Sequence, residues 1–141
     1  MSLRRKSLKI KTKLDEANAK IEDAKAIVER LWFEREELIL QQRAKYPTAA
    51  ILAAVAKAHG LDVETLRSKA RPRHVSLARH HAVWEMRCRR FDLGFSQIAA
   101  ELNRDDHTTA LHSYQTFCKA VALDHYRAER ALVADILEGK E

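Results

Sequence analysis

Glycine and proline are scarce, with three and two in 141 residues. β-Sheet proteins need turn residues at short, regular spacing, so this scarcity argues against strands and for an all-α fold. The only cysteines, Cys88 and Cys118, lie too far apart to form a zinc-ligand pair. Both fall in stretches that read as helix, where they are expected as reduced core or groove thiols. No apolar run approaches the roughly 20 residues that span a bilayer, and the basic start is not followed by an apolar signal core. A cytoplasmic protein without membrane association is expected.

Charge is plentiful: 33% of residues, 26 basic against 20 acidic, for a formal net charge of +6. The basic excess suits a polyanionic partner. With 46% hydrophobic residues the chain can bury one core of ordinary size, so a single globular domain plus an appendage is expected.

The appendage comes first. Ile10, Leu14, Ala17, Ile21, Ala24, Val28, Leu31 and, past the interruption at Arg35, Leu38 recur in steps of four and three. This is the 3.5-residue period of a coiled-coil seam, which keeps one narrow stripe facing a partner helix. Neither Gly nor Pro occurs before Pro47, so one long helix should end near Tyr46. A helix with so narrow an apolar stripe is poorly stable alone and needs a partner. The candidates are another copy of the chain, giving a homo-oligomer, or a partner within the chain, either the C-terminal domain onto which the helix folds back or the second arm of an intramolecular hairpin. Trp32 and Phe33 lie beside the seam and can widen either contact. The first thirteen residues hold six basic side chains and no acid. They form either a solvated end or a tail that brushes phosphates without sequence preference.

Pro47 cannot continue the helix, and Thr48 is placed to cap a new one over Ala49 to His59. The chain thus divides into a coiled-coil segment, 1–46, and a compact helical domain, 47–141. Gly60 should stop the first helix of that domain, and Asp62 should cap a short one carrying Val63 and Leu66. Between Arg67 and Arg90 lie eight basic residues against Glu85 alone, a local net charge of +7. The stretch begins as a loop containing Arg71 and Arg73, since Pro72 disfavours helix at Arg71, and is expected to turn helical from about Ser76. Such a surface can track phosphates, or Arg87, Arg89 and Arg90 can merely solvate a helix face.

A short helix then runs from about Phe95 to Leu102, a turn occupies Asn103 to Asp105, and a longer helix begins near Asp106. Leu111, Tyr114 and Phe117 or Cys118 are expected inside it. His107, Thr108, Thr109 and His112 are left to face out or cap at its N-terminal end. Short helix, tight turn and longer helix make a helix-turn-helix, in which the start of the second helix meets base edges in the major groove.

Asp106-His107-Thr108-Thr109-Ala110-Leu111-His112 resembles the Asp-His-Thr-Thr-Val-Leu-His signature of the duplex-binding domain of the bacterial replication initiator DnaA, differing only at Ala110. Phe95-Ser96-Gln97-Ile98 is similar to that family's Leu-Pro-Glu-Ile. Arg71 stands four residues before Val75 like the family's basic-loop arginine, and Arg79 matches the arginine that opens its long helix. The resemblance spans roughly Ala49 to Cys118. It implies that Arg71 enters the minor groove of double-stranded DNA while Asp106, His107, Thr108 and Thr109 contact bases in the adjoining major groove, with His112 near phosphate. The residue types suit this: Asp accepts from a cytosine amino group, His meets a purine edge, and Thr offers a hydroxyl and a methyl. Three departures are visible, one of them a segment from Arg79 to Ile98 that is one residue longer than the family's. Asp105 stands where the family has arginine, with Arg104 one place earlier, and Ala78 stands where it has proline.

The family's nucleotide chemistry does not carry over, because no Gly-x-x-x-x-Gly-Lys-Ser/Thr is present; no nucleotide and no cofactor are expected. His80, His81, His107 and His112 invite a metal or nuclease site, but no H-E-x-x-H motif or carboxylate cluster accompanies them. They are expected as solvated or DNA-facing histidines in a protein that is not an enzyme and holds no metal. The expectation is sequence-specific duplex binding in the regulation of replication or transcription. Two alternatives stay open: a small phage DNA-recognition subunit such as a packaging (terminase) component, and a coiled-coil adaptor that grips protein.

Overall fold

The computed structural model describes residues 2–139, which form seven helices and no strand. The chain divides into two compact units, one through Leu38 and one from Ile39.

Helix α1 runs over Leu3–Lys45 and accounts for all secondary structure of the first unit. Its residues are mostly good helix formers, and Arg43 and Lys45 in its last turn complement the helix dipole. Every described residue of the first unit is exposed, including Leu14, Ile21, Val28 and Leu31 of the seam.

The second unit is built from α2 (Thr48–Ala58), α3 (Val63–Arg67), α4 (Arg73–Arg89), α5 (Phe95–Glu101), α6 (His107–Ala122) and α7 (Arg127–Leu137). Helix α4 is central, packing most extensively on α6 and also on α2, α3 and α5, while α7 covers α2. Ile51, Leu52 and Val55 of α2, Val83 and Met86 of α4 and Ile98 of α5 are sealed from solvent within one apolar cluster.

Local signals set most boundaries. Gly60 takes a positive φ of 69°, and Leu61 N–H closes back on Ala56 O at 2.8 Å, the left-handed exit that glycine adopts at no steric cost. Asp62 caps α3 by accepting from Thr65 N–H at 2.7 Å. Two expected starts shift. Pro47, not Thr48, occupies the N-cap position of α2, and Thr48 is its first helical residue with no side-chain cap bond. Likewise Pro72 occupies the N-cap position of α4, so that helix begins at Arg73 rather than near Ser76. In both cases the proline itself is extended, with ψ 144°, and the next residue starts the helix.

The interior also holds a chain of polar groups. His81 is fully buried, stacked on Phe117 with ring centroids 4.6 Å apart, which corrects its expected solvent- or DNA-facing place. Its Nε2 lies 3.0 Å from Glu85 Oε1, and its Nδ1 lies 2.8 Å from His59 Nε2. A carboxylate only accepts, so His81 Nε2 donates to Glu85; with one proton on the ring, Nδ1 then accepts from His59. Arg89 donates to the other oxygen of Glu85 at 2.7 Å and stacks over the Tyr46 ring. Arg90 is buried, gripping Asp92 in a bidentate pair and donating to Tyr46 O. Arg87 donates to Leu93 O. All three arginines at the end of α4 therefore brace the scaffold, and none simply solvates a helix face. Cys88 is exposed and Cys118 half-buried, so the thiols are free but neither is a core residue.

Burial, and then the neighbouring His81, lower the pKa of His59 from 6.5 to about 4. The unfolded chain takes up a proton at this imidazole that the folded chain refuses, so stability should fall as pH drops from 6.5 towards about 4. His59→Gln, which can still donate to His81, should flatten that part of the profile. Urea unfolding midpoints of both proteins across this window measure it, and identical slopes would show that His59 does not carry the effect.

Candidate nucleic-acid interface

Helices α5 and α6 and the turn between them form the helix-turn-helix. The Gly94 N–H at the start of α5 donates to Gln97 Oε1 at 2.8 Å. At its end Asn103 adopts a left-handed φ of 55°, with Asn103 N–H on Ala100 O at 3.0 Å and Arg104 N–H on Ala99 O at 2.8 Å. This reversal satisfies the last carbonyls of α5, and asparagine tolerates its backbone better than most residues. Asp106 then caps α6, its carboxylate accepting from Thr108 N–H at 2.9 Å. The Thr108 backbone N–H, followed by its hydroxyl, holds the Asp106 carboxyl below the usual carboxylate range.

The inner face of α6 is Ala110, Ser113 and Phe117. Of the residues expected inside, Phe117 is buried, whereas Leu111, Tyr114 and Cys118 are only half-buried, and the small Ala110 and Ser113 complete the inner face. Tyr114 packs on Phe95 with ring centroids 5.6 Å apart. The outward face at the start of α6 is Asp106, His107, Thr108, Thr109 and His112, all exposed. His107 Nδ1 lies 3.6 Å from Asp106 Oδ1. The His112 ring stands edge-on to His80 of α4, whose pKa is lowered by burial, then by His112 and by Arg79.

The basic segment is organised by its own arginines. Arg79 Nε donates to Leu66 O at 2.8 Å, and a terminal nitrogen donates to Ser68 O at 2.7 Å. Arg104, from the helix-turn-helix turn, donates to the same Ser68 carbonyl at 2.9 Å. Arg67 donates to Glu101 O at the end of α5 at 3.0 Å. Arg104 thus ties the loop after α3 to the turn before α6, Arg79 ties the same loop to α4, and Arg67 ties the end of α3 to the end of α5. Burial, and then the nearby charge of Arg104, lower the Arg79 pKa. Lys69, Arg71 and Arg73 are exposed, and among the described residues none has a hydrogen-bond or ion-pair partner.

The nine residues singled out by sequence fall into two sets. Arg71, Arg73, Asp106, His107, Thr108, Thr109 and His112 are exposed; Arg79 and Arg104 are half-buried and bonded to backbone carbonyls. Arg67 was missed, and its signal was absent, since its partner lies 34 residues along the chain. Among the described residues no group of three or more His, Cys, Asp or Glu could hold a metal ion, and no helix is long and apolar enough to cross a membrane.

A short helix, a tight turn and a longer helix with an exposed start, beside a loop with unpaired basic side chains, define a DNA-binding helix-turn-helix. Residues 48–116 match the profile described as "Bacterial dnaA protein helix-turn-helix", and this segment is a DnaA-type helix-turn-helix domain. The chain is 37% identical over 75 residues to the chromosomal replication initiator protein DnaA of Trichormus variabilis, which covers 53% of this chain and 16% of that protein. It is 31% identical over 90 residues to the protein of the same name from Chloroflexus aggregans, covering 63% of this chain and 19% of the relative. The chain therefore spans less than a fifth of the length of these curated relatives. No solved structure matches it.

Proposed function

We propose that this protein binds specific double-stranded DNA through two elements acting as one. The start of α6 lies in the major groove, where His107, Thr108, Thr109 and the uncapped side of Asp106 meet base edges. Arg71 enters the adjoining minor groove with Lys69 and Arg73 against phosphates, and His112 meets the backbone. Arg79 and Arg104 position these elements rather than touching bases. The observation that carries this reading is their shared hold on the Ser68 carbonyl, which ties the basic loop to the helix-turn-helix turn. It also gives Arg104 a role next to Asp105: Arg104 braces the loop, and the acidic Asp105 is left exposed at the turn. The relatives' printed name, replication initiator, supports a role in replication; regulation of replication or transcription, in the cytoplasm and by binding rather than catalysis, belongs to the same proposal.

Salt dependence tests the basic loop. Each neutralised phosphate contributes about 0.9 to the slope of log affinity against log salt, so Lys69 and Arg73 alone imply a loss of about 12-fold between 50 and 200 mM. Arg73→Ala should lower the slope by about 0.9, and Arg71→Ala, which removes the minor-groove cation, should lower it too. Fluorescence anisotropy with a labelled duplex measures both quantities, and an affinity indifferent to salt would remove the loop from the interface.

In the same reading residues 1–46 serve as an oligomerisation helix and residues 47–141 as the DNA-reading domain, with the last turns of α1, from Ile39, belonging to the second compact unit. The support is the continuous exposure of the seam, since isolated helices gain little beyond their backbone bonds and a bare amphipathic helix needs a partner. Leu14→Asp with Ile21→Asp should turn the oligomer into a monomer with the C-terminal unit intact. A sedimentation profile that the double substitution leaves unchanged would refute this use of α1.

A further inference from the structure

We propose that α1 pairs with one second copy of itself in antiparallel orientation, placing Ile21 opposite Ala24, Val28 opposite Ala17 and Leu14 opposite Leu31 of the second copy. The inference rests on the oligomerising role of α1 proposed above and adds to it the number of strands, their direction and their register.

The side chains of the seam decide the direction. Its large members, Leu14, Ile21, Val28 and Leu31, are each at least half exposed, and the two small ones, Ala17 and Ala24, fall between them. A parallel, in-register pair sets each seam residue against its own copy. Ala17 then meets Ala17 and Ala24 meets Ala24, leaving two underfilled layers on either side of Ile21, and Arg35 meets Arg35 inside the seam. Reversing one helix sets large against small, so that Ile21 and Val28 fill the space the alanines leave, and Arg35 passes to the end of the seam beside Ile10. Close packing favours alternation of large and small residues across a seam.

The flanking charges agree. In a parallel pair the residue before one seam position faces the residue after the next, which brings Lys6 to Lys11 and Lys20 to Lys25 on both sides of the dimer. The six basic residues among the first thirteen also lie beside their own copies. In the antiparallel register Lys13 faces Glu34, Lys11 faces the exposed Trp32 ring, and the basic start lies along a stretch holding Glu34, Glu36 and Glu37. Opposite charges at such flanking positions set partner orientation, and a cation over an indole face is favourable. Sliding the reversed helix by one heptad in either direction brings Lys25 against a lysine again, and only the stated register avoids this. The paired segment from Ser7 to Leu38 is about 48 Å long at 1.5 Å per residue. The two chains leave it at opposite ends, each toward its own DNA-reading unit.

The test uses the full chain with Cys88→Ser and Cys118→Ser, into which Leu14→Cys or Leu31→Cys is introduced singly. The two proteins are mixed, oxidised and resolved on non-reducing gels, with circular dichroism to confirm the helical fold. The expected result is a covalent dimer joining Leu14→Cys to Leu31→Cys in the mixture, and little covalent dimer from either protein alone. A homodimer of Leu14→Cys alone would overturn the orientation while leaving oligomerisation intact, and a trimer or larger species in sedimentation would overturn the two-stranded pairing. A monomeric wild type would overturn oligomerisation itself. A second set of variants leaves the seam untouched: Lys13→Glu and Glu34→Lys should each weaken dimerisation about five-fold, and the double swap should restore it. Failure of the double swap to restore dimerisation would contradict the register.

Discussion

Replacing Arg89 with alanine is expected to cost about 3 kcal/mol of stability at neutral pH, and to do so without touching the DNA-facing surface. The reason lies in what the guanidinium holds. Glu85 is 2% exposed, and its two oxygens are divided between His81 and Arg89. Burial alone would raise the Glu85 pKa, but the hydrogen bonds from His81 and Arg89 outweigh it and hold the carboxyl below its usual range. Removing Arg89 leaves a carboxylate in the interior with one partner, and breaking such a pair from one side is far more costly than the pair is stabilising. The urea midpoint should fall by about 1–2 M. Arg89→Lys keeps a charge and should lose less. A depressed carboxylate pKa gives stability that is present above the ordinary carboxylate range and lost as pH falls through the folded value. The gap between wild type and Arg89→Ala should therefore narrow in acid, as Glu85 becomes protonated in both. A loss below about 0.5 kcal/mol, the size of an ordinary surface change, would show that this buried chain of polar groups does not hold the fold.

Arg89 also marks where sequence reading ends. Its cluster with Arg87 and Arg90 reads as a charged surface because composition carries no record of a partner. Arg90 finds the carbonyl of Tyr46, 44 residues away, and Arg104 finds that of Ser68, 36 residues away. Neither pairing has a local pattern to betray it. His81 was unreadable for the same reason: a histidine in a basic stretch looks solvated until Phe117 stacks on it and Glu85 accepts a hydrogen bond from its ring N–H. What was legible is what the backbone decides locally. Gly60 and Asn103 supply left-handed turns, Asp62 and Asp106 supply caps, and the absence of Gly and Pro keeps α1 unbroken through Lys45. Both prolines mark breaks as expected; the start after Pro47 moves by one residue only, whereas the start after Pro72 comes at Arg73 rather than near Ser76, since a residue directly after proline can begin a helix. On α6 the exposed residues at the helix start and the buried Phe117 were legible, whereas Ala110 and Ser113 of the inner face were not, because small and polar side chains carry little apolar signal.

Specificity, by contrast with affinity, should reside at the start of α6. Phosphate contacts position a protein on duplex DNA, and base-edge contacts discriminate between sequences. His107 and Thr109 are exposed on the outward face of a helix whose N-terminal dipole favours a nearby phosphate, and neither braces the fold. Arg71 faces outward too, but from the loop, where its loss should weaken all duplexes alike. His107→Ala and Thr109→Ala should each cost about 1–3 kcal/mol on the preferred site, the usual worth of a good base contact.

The deciding measurement is a paired titration at one fixed salt concentration. One duplex carries the sequence the wild-type protein enriches from a random pool and the other a scrambled sequence, with circular dichroism confirming that each variant is folded. The account predicts that His107→Ala and Thr109→Ala weaken binding to the enriched duplex by about ten-fold or more and leave the scrambled duplex nearly unchanged. Equal losses on both duplexes would show that the start of α6 does not read DNA and would contradict the account.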